Sequence, residues 1–353
     1  MFSDLNNLLD GYLRRGVPGF ICKVLRNGEL IYERVAGFSD REARKPMLGN
    51  ERFNLYSCSK VITCTAALQL LERGAFALDD EIWRYLPEFE NMSRLADDGQ
   101  SVPANNKITI RHLFAMTSGL DYELHTPELD DLIRTSNGRC PTREACRRIA
   151  RRALLFEPGT QFQYGLSHDV LAVLIETVSG QPFNDYVTDH IFRPLGMQNS
   201  TYLPTEDDVL SLTPQYRYQA GSQKVVRIST ANDFRIGSQY ASGGAGCVST
   251  IDDYLKFMEG LRTGKLIKPE TVRLMATDQL HGLPGYFLDE QYGYGLGVRC
   301  PKPGSDRRDF GWDGAAGAFM AILPQEGISI CYLQHMRETP FLRNELAAPG
   351  LWV

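Results

Sequence analysis

The pattern of hydrophobic and polar positions predicts a helix followed by a β-hairpin at the start of the chain. Residues 1–15 have the apolar spacing of an amphipathic helix. The run Gly16-Val17-Pro18-Gly19 then breaks it. Two strand-like runs, 20–26 and 30–36, follow on either side of Asn27-Gly28. This dipeptide is typical of two-residue hairpin turns.

A nearly uninterrupted apolar run dominates the next part of the chain. Residues 61–71 are apolar on almost every face of a helix, and charge returns only at Glu72. A helix without a polar face is typical of a segment buried inside a domain. The small polar residues before it favour a helix start near Ser57, and Gly74 is a typical C-terminal stop. The pattern therefore predicts a buried central helix.

The middle of the chain, from about residue 78 to 210, has mainly helical patterning. We predict helices over residues 143–155 and 168–178, with a turn at Glu157-Pro158-Gly159-Thr160 between them. Residues 97–106 are polar and predict a loop. This region is therefore expected to be helical and to lack a sheet of its own.

Strand-like patterns return after about residue 212. A glycine-rich bend is expected at 241–246, and a helix at 252–262. The predicted strands of this part are residues 225–228, 292–299, 316–323 and 328–334. Their neighbours are rich in glycine and proline, which favours tight turns in an antiparallel sheet.

These patterns predict an α/β (α+β) fold in which both ends of the chain build one domain. Residues 1–76 and 212–353 are expected to form an antiparallel sheet flanked by helices. Residues 77–211 are expected to form an inserted all-helical domain. A cleft between two such regions is a natural place for an active site.

Composition and charge narrow the class of protein. The 353 residues are 43% hydrophobic and 23% charged, which is typical of a globular chain. The net charge is −5 and no basic run occurs, which argues against nucleic acid as a partner. No apolar run approaches the length of a membrane span, and the N-terminus lacks the order of a signal peptide. We therefore expect neither nucleic acid nor a membrane as a partner.

The cysteines and histidines predict neither a metal site nor a disulfide framework. Eight cysteines are scattered along the chain without a Cys-x-x-Cys pair, and the six histidines do not cluster at ligand spacings. Reduced thiols in a cytoplasm are the expectation, with Cys140 and Cys146 unpaired. We expect no metal and no cofactor.

Ser57 and Lys60 are the first candidate catalytic pair. They lie one helical turn apart, on the same face at the start of the central helix. Burial and the helix dipole both disfavour the ammonium form, so the amine can be neutral and accept a proton. A neutral lysine beside a serine is a recognised way to activate a hydroxyl nucleophile. The spacing alone also fits a helix-capping serine next to a solvated lysine.

Two later stretches carry further candidate chemistry. Tyr164 lies between a turn and an apolar helix, as an aromatic wedge or as a phenol that exchanges a proton in the cleft. The small residues of 311–317 let a substrate approach the backbone closely. An exposed N–H there, beside the N–H of Ser57, would make a two-donor oxyanion site. A glycine-rich strand corner around a core tryptophan is the alternative.

Together these motifs resemble the serine β-lactamase and penicillin-binding-protein superfamily. The order Ser57-Cys58-Ser59-Lys60, Tyr164, Trp312-Asp313-Gly314 is similar to the three motifs of that group. The nearest branch is that of the class C β-lactamases and related esterases, transesterases and D-amino-acid peptidases. Further matching stretches are Ile110-Arg111-His112-Leu113, Thr117-Ser118-Gly119-Leu120, Glu157-Pro158-Gly159, Pro194-Leu195-Gly196-Met197 and Gly243-Gly244-Ala245-Gly246 with Ser249-Thr250.

The resemblance implies an acyl-enzyme mechanism. Ser57 would attack a carbonyl, Lys60 and Tyr164 would act as a coupled base, and water or an alcohol would release the acyl group. The backbone N–H groups of Ser57 and Ala315 would hold the oxyanion. Which of Lys60 and Tyr164 takes the first proton stays open, since the two should titrate as a pair.

Two departures from the family pattern concern the substrate. β-Lactam-hydrolysing members have an asparagine where this chain has Leu166, and a lysine or histidine where it has Trp312. Trp312 offers only an indole N–H, and Asp313 beside it adds negative charge. Both changes argue against substrates with an amide side chain and a carboxylate. The resemblance therefore favours a carboxylesterase or acyltransferase for small or medium esters.

Two alternatives are open at this stage, and a third is excluded. A β-lactamase or D-Ala-D-Ala carboxypeptidase would use the same nucleophile on an amide. A catalytically silent binding protein would keep the fold alone. An α/β-hydrolase would need Gly-x-Ser-x-Gly, which the chain lacks. We accordingly interpret His112 and His168 as structural, and Cys58 as a core residue whose thiol is not activated.

Overall fold

One antiparallel sheet collects strands from both ends of the chain. The computed structural model describes residues 2–287, 290–348, 350 and 351. The predicted domain ends at 1 and 353 lie outside these ranges. The strands are β1 Gly19–Arg26, β2 Glu29–Asp40, β3 Lys45–Pro46, β4 Phe53–Asn54, β5 Ser93–Leu95, β6 Ser101–Pro103, β7 Gln215–Gln219, β8 Lys224–Ile228, β9 Val248–Ser249, β10 Tyr292–Tyr294, β11 Arg299–Pro301, β12 Phe310–Asp313, β13 Phe319–Leu323, β14 Ile328–Gln334 and β15 Met336–Arg337. The eight-stranded sheet has the order β10-β11-β12-β13-β14-β1-β2-β3.

Helices cover the sheet and fill the middle of the chain. They are α1 Ser3–Arg14, α2 Ser59–Glu72, α3 Ile110–Phe114, α4 Pro127–Thr135, α5 Thr142–Ile149, α6 Ser167–Ser179, α7 Phe183–Val187, α8 Arg193–Leu195, α9 Glu206–Leu210, α10 Ile251–Arg262, α11 Pro269–Met275 and α12 Leu342–Leu346. Short 3₁₀ turns occur at Tyr56–Cys58, Ile82–Arg84 and Pro87–Phe89, and a π-helical turn at Thr188–Phe192. The predicted α+β architecture with an antiparallel sheet is confirmed. None of the described helices is long and apolar enough to cross a bilayer.

The predicted N-terminal hairpin is confirmed. β1 and β2 pair antiparallel, with Arg26 opposite Glu29 and therefore two residues in the loop. Asn27 and Gly28 have φ values of 51° and 84°. Asparagine and glycine tolerate this left-handed backbone, and its twist matches that of the flanking strands.

The sheet is covered on both faces, and the central helix α2 covers one of them. Every residue of α2 from Ser59 to Leu70 is buried. The apolar residues of α2 belong to a large hydrophobic cluster that also contains Ile21 of β1 and much of α6. The neighbouring residue Phe20 points to the opposite face, into a second cluster with α1 and α12. Alternating strand residues therefore serve two cores, as the period of two requires.

The middle region departs from an all-helical domain at one place. Ser93–Leu95 pairs with Ser101–Pro103 in a short hairpin, and its second strand lies within the predicted polar loop 97–106. Leu154 adds to this hairpin, because its N–H donates to the Ser93 carbonyl at 2.8 Å and its carbonyl accepts from Leu95. The helix predicted over 143–155 therefore ends at Ile149. The domain boundaries at residues 77 and 212 stay predictions.

The strand predicted over 292–299 is wrong. The segment forms two short antiparallel strands, β10 and β11, joined by a turn in which the Gly295 N–H donates to the Val298 carbonyl at 2.8 Å. Gly297 has φ 90°, and a side chain there would collide with Cys64 of α2. Close contact with the central helix thus requires the bend, which alternation of residue types could not show.

Candidate active site

Ser57 lies in the 3₁₀ turn Tyr56–Cys58, immediately before α2. β4 leads into this turn and pairs with β9, and the Leu55 N–H donates to the Cys247 carbonyl at 3.0 Å. Tyr56 has a left-handed φ of 47°. Such a backbone costs a non-glycine residue free energy and recurs at functional sites. The surrounding pairing therefore holds the Ser57 turn in a conformation that it would not adopt alone.

Lys60 is fully buried beside Ser57, and its Nζ is 3.2 Å from Ser57 Oγ. The same nitrogen is 3.1 Å from the Tyr122 hydroxyl and donates to the Gly244 carbonyl at 2.6 Å. Burial lowers the pKa of Lys60 to about 7, although the Asp169 carboxylate opposes the shift. Near neutral pH a large fraction of the amine is therefore uncharged and able to accept a proton.

Tyr122 is a site residue that the sequence did not indicate. Its loop is held by an ion pair between Arg152 and Asp121, and by the Leu166 N–H, which donates to the Asp121 carbonyl at 2.9 Å. A side chain at Gly165 would collide with this loop. Burial raises the pKa of Tyr122 well above its usual range, so its phenol stays protonated.

The signal for Tyr122 was weak in the sequence. It lies two residues after Thr117-Ser118-Gly119-Leu120, a stretch that resembled the family, but no spacing linked it to Lys60. Its approach depends on the contacts of Arg152 and Gly165, which are distant in sequence. Only the tertiary fold brings this phenol to the amine.

Tyr164 lies against Lys60 through its ring. The Lys60 Nζ is 4.5 Å from the ring centroid, a distance within the range of cation–π contact. The ring also stacks on Tyr122 with centroids 5.6 Å apart. The Tyr164 hydroxyl accepts a hydrogen bond of 2.9 Å from the Trp312 indole N–H. The structure thus brings Ser57, Lys60, Tyr122 and Tyr164 into one cluster.

The strand that carries Trp312 approaches the Ser57 turn directly. Gly314 packs so closely on the Leu55 carbonyl that a side chain there would collide with it. The Gly314 N–H is engaged by the Ala318 carbonyl at 2.7 Å. Ala315 follows in the turn after β12 and is exposed. Two backbones therefore meet here without intervening side chains.

The residues that depart from the family pattern offer few polar groups to a ligand. Leu166 is buried at the N-terminus of α6. Trp312 is 1% exposed and donates its indole N–H to Tyr164. Asp313 is half-buried at the end of β12 and brings a carboxylate to the region.

Further aromatic rings extend this cluster. Phe234 contacts Tyr122 edge-on at 5.1 Å, Phe287 contacts Tyr164 at 5.9 Å, and Tyr294 contacts Trp312 at 5.0 Å. Such a wall presents apolar surface with little capacity to solvate an anion. It therefore favours uncharged, apolar parts of a ligand.

The remaining candidates near the cluster have structural roles. His168 is buried, its Nε2 is 3.2 Å from the Phe114 carbonyl, and burial lowers its pKa to about 3. Cys58 is buried, and burial raises the pKa of its thiol, so it is not an activated nucleophile. His112 completes a capping box with Thr109 at the start of α3. All eight cysteines, including Cys140 and Cys146, are free and buried.

A serine beside a buried, partly neutral lysine, under a helical region and at the edge of an antiparallel sheet, defines a serine acyl hydrolase. The chain belongs to the Beta-lactamase family, whose sequence model matches residues 5–348. Family and fold together make this protein a serine hydrolase, as the motifs predicted.

Several proteins are similar to this chain over most of its length. Esterase EstB from Burkholderia gladioli is 33% identical over 313 residues, which cover 82% of this chain and 78% of EstB. Monacolin J acid methylbutanoyltransferase from Aspergillus terreus is 28% identical over 277 residues, 74% of this chain and 67% of that protein. The solved structure of EstCE1, described as a hydrolase with promiscuous acyltransferase activity, has a TM-score of 0.75 and 27% identity. It covers 95% of this chain and 93% of EstCE1.

Proposed function

We propose that the protein is a carboxylesterase that forms an acyl-enzyme on Ser57 and acts on small or medium uncharged esters. The observation that carries the proposal is the hydrogen bond that Trp312 donates to Tyr164. Its indole N–H is already donated to Tyr164, at the position where β-lactam-hydrolysing relatives place a cation. The esterase named among the similar proteins supports the same chemistry.

The acylation step follows from the contacts of Lys60. Ser57 Oγ attacks the ester carbonyl while its proton passes to the neutral Lys60 amine 3.2 Å away. The Tyr122 phenol, 3.1 Å from that amine, can relay the proton toward the departing alkoxide. The C–O bond to the alcohol then breaks, and the alcohol leaves with the proton.

Deacylation reverses the same proton path. Water attacks the acyl-enzyme, gives a proton to the amine, and releases a carboxylic acid while Ser57 regains its hydrogen. An alcohol in place of water would give a new ester by the same steps. We propose the amide hydrogens of Ser57 and Ala315 as the oxyanion donors. The packing of Gly314 on Leu55, which places the two turns side by side, supports this assignment.

The substrate class follows from what the cleft does and does not offer. A β-lactam or a D-Ala-D-Ala peptide carries a carboxylate that needs a cation or several donors. Asp313 and the aromatic rings around Tyr164 instead disfavour an anion. An uncharged ester has no such electrostatic cost beside Asp313 and gains apolar contact with the aromatic rings. The eight free, buried thiols also support a reducing compartment such as the cytoplasm.

A substrate panel tests the proposed function. We expect kcat/KM for p-nitrophenyl butyrate to exceed that for nitrocefin by at least about 10²-fold, because the charged substrate lacks a partner. A D-Ala-D-Ala peptide should not be cleaved measurably. A fluorophosphonate probe should label the wild type and not Ser57→Ala. Nitrocefin turnover equal to that of the ester would contradict the substrate class, and equal labelling of both proteins would contradict the nucleophile.

The pH dependence of the ester reaction should reflect the protonation of the Lys60 amine. Its pKa of about 7 means that the amine is protonated and inactive below that pH. We therefore expect kcat/KM to rise as pH rises through about 7 and to level off above about 8. Initial rates at low substrate concentration, between pH 5 and 9, check this. A profile that is flat between pH 6 and 8 would show that no group of this kind limits the reaction.

A further inference from the structure

Asp169 is a buried carboxylate to which the proposed mechanism has so far given no role. It lies in the first turn of α6, five residues after Tyr164. Its Oδ1 accepts hydrogen bonds from the Tyr240 hydroxyl at 2.9 Å and the Ser242 hydroxyl at 2.7 Å. Its Oδ2 is buried; burial raises the pKa of Asp169, whereas the hydroxyl of Ser242, the charge of Lys60 and the Gly244 N–H favour the ionised form. A carboxylate in such surroundings is costly unless a positive charge compensates it.

The atoms that surround Gly244 show which positive charge lies near this carboxylate. A Cβ built on Gly244 would be 2.7 Å from Asp169 Oδ2, 3.3 Å from Lys60 Nζ and 3.3 Å from the Tyr122 hydroxyl. The carboxylate oxygen and the amine therefore face the same small space and are at most 6.0 Å apart. The Gly244 carbonyl itself accepts the Lys60 hydrogen bond.

The other groups that face Lys60 leave Asp169 as its principal charge partner. From its own helical segment these are the thiols of Cys58 and Cys64, whose pKa values are raised by burial, so they are neutral. Tyr122 faces it as a protonated phenol and Tyr164 faces it with its ring. The pKa of His168 is lowered to about 3, so its imidazole is neutral. Asp313 acts from β12 and affects Lys60 less than Asp169 does.

We propose that Asp169 is the positioning and charge-compensating residue of the serine–lysine pair. Its charge stabilises the ammonium that forms when Lys60 takes the proton of Ser57. Its bonds to Tyr240 and Ser242 hold the glycine-rich turn whose carbonyl orients the amine. The role is analogous to that of the aspartate that supports the histidine in a Ser-His-Asp triad. This inference rests on the proposed function of Lys60 as the base.

Neutralising Asp169 should displace the pH profile and not only lower it. Two unit charges 6 Å apart, at an effective dielectric constant near 20, shift a titration by about two pH units. The acid limb of the pH profile is the part in which kcat/KM rises with pH as Lys60 loses its proton. In Asp169→Asn, we expect this limb, measured with p-nitrophenyl butyrate, to move to lower pH by about 0.5 to 2 units. The plateau should fall about threefold to tenfold, because a less basic amine is a weaker catalyst. A lower plateau with an unmoved acid limb would assign Asp169 to structure alone and overturn the proposal.

Asp253 offers a matched control. It is as buried as Asp169, lies on α10, and accepts a hydrogen bond of 2.7 Å from the Asn199 N–H. Asp253→Asn makes the same chemical change outside the site. We expect it to leave the acid limb in place, whatever its effect on the melting temperature. A displacement equal to that of Asp169→Asn would show that the shift is unspecific and would overturn the proposal.

A second variant keeps the proposal testable if Asp169→Asn does not fold. Tyr240→Phe retains the carboxylate and removes one of its hydrogen-bond donors, so the ionised form of Asp169 is less stable. A less ionised Asp169 stabilises the Lys60 ammonium less, so the acid limb should move to lower pH, in the same direction as in Asp169→Asn and by a smaller amount. An unmoved limb, or one displaced to higher pH, would overturn the proposal.

Labelling of Ser57 separates this inference from the proposed esterase activity. The rate of modification by a fluorophosphonate depends on activation of the hydroxyl and not on the natural substrate. Absence of ester turnover with a pH-dependent labelling rate would reject the esterase and leave Asp169 under test. The labelling rates of wild type, Asp169→Asn and Tyr240→Phe should then show the same two displacements to lower pH, the larger in Asp169→Asn, and identical pH dependences in all three would overturn the role of Asp169.

Discussion

Lys60→Met should lower kcat/KM for p-nitrophenyl butyrate by at least about 10³-fold and leave the fold intact. The amine is the basic group in direct contact with Ser57 Oγ, and methionine has similar length without proton affinity. Tyr122 cannot replace it, because burial keeps its phenol protonated and a protonated phenol is a poor base at neutral pH. Steady-state kinetics and fluorophosphonate labelling measure the loss. Activity within tenfold of wild type would remove Lys60 from the mechanism.

The same substitution has a stability effect of known sign. The pKa of Lys60 in the folded protein is about 7, below its ordinary value of 10.5. Between these values the unfolded chain binds one more proton than the folded protein, so wild-type stability rises with pH by about 1.4 kcal/mol per unit. Lys60→Met lacks this contribution and should be the more stable of the two at pH 6. Urea unfolding at pH 6 and pH 9 measures the difference.

Lys23 is the matched control for that experiment. It is also a buried lysine, but its Nζ pairs with Asp252 at 2.6 Å and Glu33 at 3.0 Å, on β1 and outside the site. Lys23→Met should destabilise the protein, because it leaves two carboxylates without their partner. Its kcat/KM should stay within about threefold of wild type. The two substitutions would thus change stability in opposite directions at pH 6, and only Lys60→Met would lose activity.

Tyr122→Phe and Tyr164→Phe should each lower kcat/KM by at least about 10²-fold. The first loses the hydroxyl that contacts the Lys60 amine, and the second loses the hydroxyl that fixes Trp312. Both changes keep the stacked rings, so the aromatic packing survives. Kinetics with p-nitrophenyl butyrate, together with melting temperatures, separate loss of chemistry from loss of structure.

The double variant tells whether the two phenols act as one unit. The two rings stack on each other and both tyrosines contact Lys60, and residues that act as a unit give strongly non-additive losses. We therefore expect Tyr122→Phe/Tyr164→Phe to lose far less than the product of the two single losses. Phe234→Leu, which trims the wall beside Tyr122 without touching a hydroxyl, should cost less than about tenfold. A Tyr122→Phe variant within fivefold of wild type would make Tyr122 a wall residue and leave Tyr164 as the proposed phenol.

Features set by local rules could be predicted from the sequence. The Asn27-Gly28 turn depends on two residues that tolerate left-handed backbone. The strand at Ile328–Gln334 and the helix at α6 depend on periodicity within one segment. The proximity of Ser57 and Lys60 follows from one turn of helical backbone, which is why their spacing already indicated a nucleophile and its base.

Features set by contacts distant in sequence could not. Tyr122 reaches Lys60 because Arg152 and Gly165 hold its loop, and Asp169 faces the amine only because Gly244 leaves the space between them open. The break between β10 and β11 follows from a close approach to Cys64. Periodicity reports the preferences of single segments, whereas these arrangements are decided by how segments meet. The sequence by itself determined the fold class, the family and the serine–lysine pair. The tertiary structure decided which phenol touches the amine and which carboxylate faces it, because both depend on packing between elements that no local pattern encodes.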